Sequence, residues 1–396
     1  MLLTIITFIL VLSLLVFVHE LGHFFTARRF GIRAEEFGFG FPPRAVGLYK
    51  NDQGKWKFVW GSKEVRDCPT TVYSLNWIPM GGFVKIKGEN GPSASSGQAE
   101  DEPQDSFAFK PIWQRAVVLS AGVSMNVILA IVLISFGLMI GMPQDLEALA
   151  PGAKVESRQI QVIHVLDNTP ANKAGLVVGD SIVSINDQTF STYQELQKYV
   201  DDNTGKNLTY QIKHEGEVQD YQITPELMKE TGKGGIGVAL VETGIVRYPW
   251  YRAVWQGAKT TFELIGLIFT AFYELFKSLI MGKGVTAEVA GPVGIASLTG
   301  QAARMGFIYL LQFAALLSLN LAIINFLPFP ALDGGRVLFL IIEKIKGSPV
   351  KREAETVIHN IGFTLLMVLV TIVTFRDVLK FGDKFVGLWY RITGIF

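Results

Sequence analysis

A histidine pair with a glutamate between its members closes the first membrane-length apolar run of this chain. Residues 1–18 carry no charge and only three hydroxyls, and His19-Glu20-Leu21-Gly22-His23 follows directly. At about 1.5 Å per residue, eighteen residues make about 27 Å of helix, close to the hydrocarbon thickness of a bilayer. Histidines four apart stand on one helix face and can reach one zinc, while the glutamate between them is placed as general base for an attacking water. Polar groups at that depth are costly unless they share a task.

Two plainer readings compete. The pentapeptide could be a coincidence, although only five histidines occur in 396 residues. The run could be a secretory signal, but no basic residue precedes it and bulky Phe24 and Phe25, then Arg28 and Arg29, stand where a small-residue cleavage site would be. Hydrophobic residues are 49% of the chain and charged ones 18%, against about 25% charged in soluble domains. A membrane protein is expected. The net charge of +1 lacks the basic footprint of a nucleic-acid partner. Cys68 is the single cysteine, so a zinc site has to rely on nitrogen and oxygen ligands.

Hydropathy predicts three further spans: Val117 to Met142, Leu310 to Leu327 (broken by Pro328 and Pro330 and resumed from Val337 to Ile342), and Ile358 to Phe375. Trp250 to Met281 is apolar but punctuated by Lys259, Glu263, Glu274 and Lys277, which suits a helix lying on the bilayer surface. Basic residues cluster after the first span, before the second and between the third and fourth, which predicts a cytoplasmic face there. The N-terminus and residues from about 145 to 305 are then extracytoplasmic, with the zinc site near the cytoplasmic face.

The outer segment alternates short strands with turn signals. Asn168 to Asn186 (N-T-P-A-N-K-A-G-L-V-V-G-D-S-I-V-S-I-N) resembles the signature run of a PDZ domain. Strands at 161–166, 181–186, 208–214 and 219–223 and helices at 171–175 and 192–201 complete the pattern. Such a domain offers a groove where an extended peptide adds as a strand, or it serves only as a steric barrier. The predicted fold is a polytopic α-helical membrane protein with four transmembrane helices, a membrane-associated β-hairpin and an inserted extracytoplasmic α+β PDZ-like domain. Its expected parts are a membrane domain over 1–150, the PDZ-like domain over 155–243, an interfacial linker over 244–305 and a second membrane domain over 306–396.

A catalytic zinc takes three protein ligands. His164 and His214 fall in the outer domain, and His359 reads as a surface histidine. Asp333 follows the two helix-stopping prolines in Asn325-Phe-Leu-Pro-Phe-Pro-Ala-Leu-Asp-Gly334, where it could be the ligand or merely the N-cap of the next half-helix.

Taken together, V-H-E-L-G-H-F in the first span, G-V-S-M-N (Gly122 to Asn126) in the second, one PDZ-like domain and N-x-x-P-x-P-x-L-D-G in the third resemble the bacterial site-2 protease family of the RseP type, over nearly the whole chain. The resemblance implies zinc (Zn2+) held by His19, His23 and Asp333, with Glu20 as catalytic base. The implied activity is cleavage within the transmembrane helix of a single-pass protein already shortened by another protease, as with anti-sigma factors or remnant signal peptides. It also implies that Trp77 to Lys87 forms a membrane-dipping β-hairpin whose Gly81, Gly82, Phe83 and Val84 pair with unwound substrate. Asn325, and less clearly Asn320, are expected to contact substrate, while Asn126 could equally be interhelical glue. The chain departs from tandem-PDZ members in having space for one such domain. Rival classes are a zinc transporter, which has no use for Glu20, and a PDZ scaffold, which leaves the zinc motif unexplained.

Overall fold

The computed structural model describes residues 2–63, 65, 70–89, 105–146, 149, 151–214, 217–228, 232–282 and 290–380. In chain order the elements are α1 (Leu2–Arg29), β1 (Ala34–Lys50), β2 (Trp56–Trp60), β3 (Val72–Ile86), α2 (Ile112–Ile140), β4 (Met142–Asp145), β5 (Lys154–Val165), α3 (Pro170–Ala174), β6 (Ser181–Ile185), α4 (Tyr193–Asp202), β7 (Leu208–His214), β8 (Glu217–Ile223), β9 (Glu226–Leu227), β10 (Gly234–Gly235), β11 (Val238–Arg247), α5 (Trp250–Ile280), α6 (Pro292–Met305), α7 (Phe307–Phe326), α8 (Asp333–Lys346) and α9 (Arg352–Lys380). The chain divides into two compact units, Met1–Leu133 with Lys259–Ala303 and Gln312–Phe396, and Ile134–Ala258 with Arg304–Leu311.

Among the described residues four helices are long and apolar enough to cross a membrane: Leu2–Arg29, Ile112–Ile140, Phe307–Phe326 and Glu353–Leu379. They correspond to the four expected spans. Their outward side chains are what a lipid-facing surface requires: on α9, Ile361, Phe363, Leu365, Leu369 and Ile372 are all exposed. Between 250 and 280 the chain is one 31-residue helix, which presents Trp255, Phe262, Leu267, Tyr273 and Phe276 together with the charged pair Lys259–Glu263. Asp377, buried on α9, accepts the Gly294 N–H at 2.6 Å and so satisfies one of the orphan donors in the first turn of α6.

In the first unit a sheet packs against α1, and its topology corrects the expected hairpin. β3 turns back over Ile78-Pro79-Met80-Gly81, but its two arms do not pair with each other. The first arm of β1 lies between them: Phe37 is opposite both Tyr73 and Val84, and Gly38 opposite both Ser74 and Phe83. β1 also doubles back, so that Val46 to Leu48 pair with Leu75 to Tyr73, and β2 adds outside that arm. Five segments therefore lie side by side in the order 56–60, 44–50, 72–76, 34–41, 82–86. A two-residue hairpin turn would have put the arms of β3 in direct register; the intervening strand is contributed by a segment more than thirty residues away, which local sequence does not announce. The 82–86 arm is the sheet edge, and the turn of β3 is tied to α1, where Ser13 Oγ donates to Pro79 O (3.1 Å) and accepts from Gly81 N (3.2 Å).

The second unit contains a six-stranded sheet of order β4-β11-β5-β6-β7-β8. It extends beyond the expected 155–243, since Met142 to Asp145 pair with Val246 to Thr243 and the last strand runs on to Arg247. Helix α3 starts on Pro170 and ends on Gly175 at φ +84°, the conformation in which glycine meets no Cβ penalty. Helix α4 starts on Thr192, whose side chain accepts from Glu195 N, while Glu195 Oε2 accepts from Ser191 N, a near relative of the capping box. Its apolar side, Leu196 and Val200, joins Ile182, Ile185, Ile212 and Tyr210 in a buried core, each large aliphatic contributing about 1.5–3 kcal/mol by leaving water.

Candidate metal centre

The histidines of α1 stand one turn apart on a buried face, His19 6% and His23 7% exposed. Two glycines allow α2 to approach that face. A Cβ on Gly22 would overlap the Ala121 carbonyl, and a Cβ on Gly122 would overlap both imidazoles, so only glycines fit at this crossing. The side chains are then aimed by neighbours on α2. His23 Nδ1 lies 2.8 Å from Val118 O, a bond in which the ring must donate, leaving Nε2 bare. His19 Nδ1 lies 3.3 Å from the Asn126 amide, which is completely buried with its Oδ1 unpartnered. An amide has the same shape when its ends are exchanged, and the orientation with Oδ1 facing the ring lets His19 donate Nδ1–H and leave its own Nε2 bare.

Asp333 arrives from the far end of the chain. After α7 the prolines stop the helix, and α8 starts at Asp333 itself, with Leu332 as N-cap and no side-chain cap bond. The N-cap alternative for Asp333 is thereby excluded. Gly334 and Gly335 follow because Cβ atoms there would overlap the carbonyls of Phe326, Leu327 and Phe329, which fold over the first turn of α8. Ala331 holds φ +77°, an uncommon conformation for a residue with a Cβ, and its N–H donates to His359 Nδ1 at 2.9 Å. The expected surface histidine of α9 is thus a part-buried clamp on the turn that carries Asp333.

Asp333 Oδ2 lies 3.0 Å from His19 Nε2 and 3.3 Å from His23 Nε2, and the two Nε2 atoms are 3.2 Å apart. Ligand atoms at about 2.0–2.1 Å from a tetrahedral zinc stand about 3.3 Å apart. The triangle, and the orphaned Asn126 oxygen behind it, fit such an ion. It is the one group of three or more potential metal-binding side chains among the described residues. Glu20 reaches the sheet edge, where its Oε2 accepts the Val84 N–H at 3.1 Å.

The remaining expected residues separate. Gly81, Gly82, Phe83 and Val84 lie on the turn and edge arm that face α1. Asn325 is half-buried on the last turn of α7, and Asn320 donates to Leu316 O of its own helix, which assigns it no role at the triangle. Gly122, the Val118 carbonyl and His359 escaped sequence reading; the only available signal was the G-V-S-M-N run, whose first glycine touches the histidines and whose asparagine orients one of them. A cavity of about 950 Å³ opens on Asp333 and is lined by Arg336, Glu343, Glu355 and His359, with the ion pairs Arg336–Glu89 and Arg115–Glu343 in its wall.

The sequence profile of Peptidase family M50 matches residues 7–60 and 63–369. The regulator of sigma-W protease RasP of Bacillus subtilis is 31% identical, covering 95% of this chain and 98% of its own, and the zinc metalloprotease RasP of Geobacillus kaustophilus is 30% identical over 96% and 98%. Among solved structures, the PDZ domain of an SdrC-like protein from Listeria monocytogenes aligns with 22% of this chain and 92% of its own at 28% identity and a TM-score of 0.21.

Proposed function

This chain belongs to peptidase family M50, the site-2 proteases, and from that premise we propose that it is a zinc metalloprotease that hydrolyses peptide bonds within transmembrane segments of single-pass membrane proteins already trimmed outside the bilayer. Zinc and metallopeptidase activity come with the family and its relatives; a transporter or a bare scaffold has no use for Glu20. The observation that carries the assignment of residues is the triangle of His19, His23 and Asp333, with Glu20 between the two histidines and facing a strand edge.

His19, His23 and Asp333 would hold the zinc, which when bound would supply the positive charge that acidifies water and polarises a carbonyl. Glu20 takes the proton of the attacking water and returns it to the leaving amine. The 82–86 edge pairs with a stretch of substrate unwound from its helix, replacing backbone bonds whose loss in lipid costs several kcal/mol per group. In that complex the Val84 N–H passes from Glu20 to a substrate carbonyl, which frees the carboxylate for its proton. Asn325 is proposed to meet the substrate backbone as it enters.

The favoured substrate is a membrane-anchored anti-sigma factor, in line with the name of the Bacillus subtilis relative; a remnant signal peptide has the same chemistry. The clusters of Lys and Arg favour an inner-membrane protein with the zinc site toward the cytoplasm and the PDZ-like domain outside. That domain either binds a peptide or excludes bulky substrates. Glu20→Gln tests the chemistry: the variant should keep zinc and lose cleavage of a model single-pass substrate, and substantial residual proteolysis would remove Glu20 from the mechanism.

A further inference from the structure

We infer that a pocket at the C-terminal end of α1 binds the phosphate of an anionic phospholipid headgroup. The pocket encloses about 490 Å³ and is walled by Arg28, Arg33, Lys50, Thr71, Tyr73 and Trp56, within the roughly 300–1,000 Å³ of small-ligand sites. Three of those side chains are cationic. Asp105, the acidic member of the wall among the described residues, is already paired with Lys87 Nζ at 2.8 Å, which leaves Arg28 and Lys50 to face an anion.

Two of the basic heads are held in place by contacts that occupy few of their donors. Arg28 donates from Nη1 to the Tyr73 hydroxyl (3.2 Å) with its guanidinium 5.4 Å from the Phe24 ring, and Lys50 Nζ stands 5.0 Å over Trp56. A guanidinium has five N–H donors and an ammonium three, so both retain donors for an anion.

The level in the bilayer selects a lipid as the source of that anion. Helix α1 has 28 residues, about 42 Å, which exceeds the roughly 30 Å hydrocarbon core, so its last turn and the pocket beside it reach the headgroup layer. Alternate residues of β2 present Trp56, Phe58 and Trp60 outward, 53%, 70% and 72% exposed, an aromatic stripe of the kind that settles at the membrane interface. Basic side chains over such a stripe match a phosphodiester whose acyl chains continue into the lipid, and each contributes about fivefold to anionic-lipid affinity. The inference rests on α1 crossing the membrane and is independent of the catalytic assignment.

The test is native mass spectrometry of the full-length protein released from phosphatidylcholine nanodiscs doped with phosphatidylglycerol. The wild type should retain one phosphatidylglycerol in preference to phosphatidylcholine. Arg28→Gln combined with Lys50→Gln should lower that retention roughly fivefold per charge, Arg28→Lys with Lys50→Arg should restore it, and Lys346→Gln, a basic residue outside the pocket, should leave it unchanged. Equal retention by wild type and the double glutamine variant, or an equal fall in Lys346→Gln, would overturn the site. Displacement of the lipid by millimolar inorganic phosphate would make the ligand a soluble anion and overturn the headgroup assignment.

Discussion

Each proposed zinc ligand is fixed by something other than the ligand itself. His23 is held by the Val118 carbonyl, His19 by Asn126, and Asp333 by a turn clamped from His359. Asp333→Ala should lower zinc occupancy together with activity, and full zinc content in a folded variant would refute its ligand role. Asn126→Leu should keep the fold and weaken zinc about 10–100-fold, the usual effect of removing a partner that orients a metal-bound histidine; zinc titration by competition with a chelator reads it. Gly122→Ala tests the crossing of α1 and α2, because the added methyl overlaps both imidazoles; it should lose zinc and cost about 1–3 kcal/mol of overpacking, measured by metal content and thermal unfolding. In the other unit Tyr210 is fully buried with its hydroxyl unpartnered, and burial, then the neighbouring Tyr199, pushes its phenol above the usual value of 10. Folding thus favours the protonated phenol: its contribution is complete below about pH 10 and is lost as pH rises, when the unfolded chain gives up a proton that the folded one retains. Tyr210→Phe should flatten that alkaline loss and leave stability at pH 7 unchanged or raised by about 1 kcal/mol, as read from hydrogen exchange of the β7 amides between pH 8 and about 11.

At the level of elements, helices were legible where one rule decided them. Thr192 with Glu195, Pro170 with Gly175, and the apolar lengths of α1, α2, α7 and α9 all carry local signals, and the largest shifts of helix ends come where polar or charged turns continue a helix beyond its apolar part, as Arg352 to Val357 do on α9. The sheet beside α1 was not legible, because its order depends on β1 and β3 interleaving, and a local strand pattern is the same whichever neighbour it takes. The ligand triangle was legible in its residue types, yet Gly122 and His359 were not, since their roles depend on helices meeting in space. The interleaved order changes the test of substrate pairing. Val84 N–H faces Glu20 and not β1, so Val84→Pro removes an outward donor while the ladder bonds directed at β1 belong to its neighbours. The expected outcome is retained zinc with cleavage of a transmembrane substrate reduced at least tenfold, since one backbone bond to an otherwise buried group is worth about 1.4 kcal/mol or more. Unchanged cleavage by that variant would sink the strand-pairing proposal. The PDZ-like sheet limits peptide addition along β11 in a similar way: β4 pairs with β11 at Thr243 to Val246 and Leu146 N bonds Glu242 O, so among the described residues the stretch of β11 left unpaired on that side is Val238 to Val241, while β8 forms the opposite edge of the sheet.

For the whole molecule the open choice is between a PDZ-like domain that captures a peptide and one that excludes bulk, and on the β11 side, where Tyr193 at the start of α4 bonds Glu242, the stretch left unpaired among the described residues is short, which gives weight to exclusion. Four residues of strand supply few main-chain bonds, and main-chain bonds are the source of affinity in strand addition. If the domain acts as a barrier, a substrate helix that carries a large extracytoplasmic domain should be cut slowly and the same helix with a short stub quickly. Removing about residues 155 to 243 should abolish the difference while leaving zinc bound, since the proposed ligands lie on α1 and α8. The junction is geometrically mild: Lys154 lies directly across from Arg247 and Glu156 from Ile245 in neighbouring strands, so a short linker closes the gap without dragging the flanking helices. The comparison needs four cleavage rates, long and short substrates against the full-length protein and the deletion. A barrier slows only the long substrate and only in the full-length protein; a capture site slows both substrates when deleted. Equal cleavage of long and short forms by the full-length protein would eliminate the barrier, whatever the deletion does.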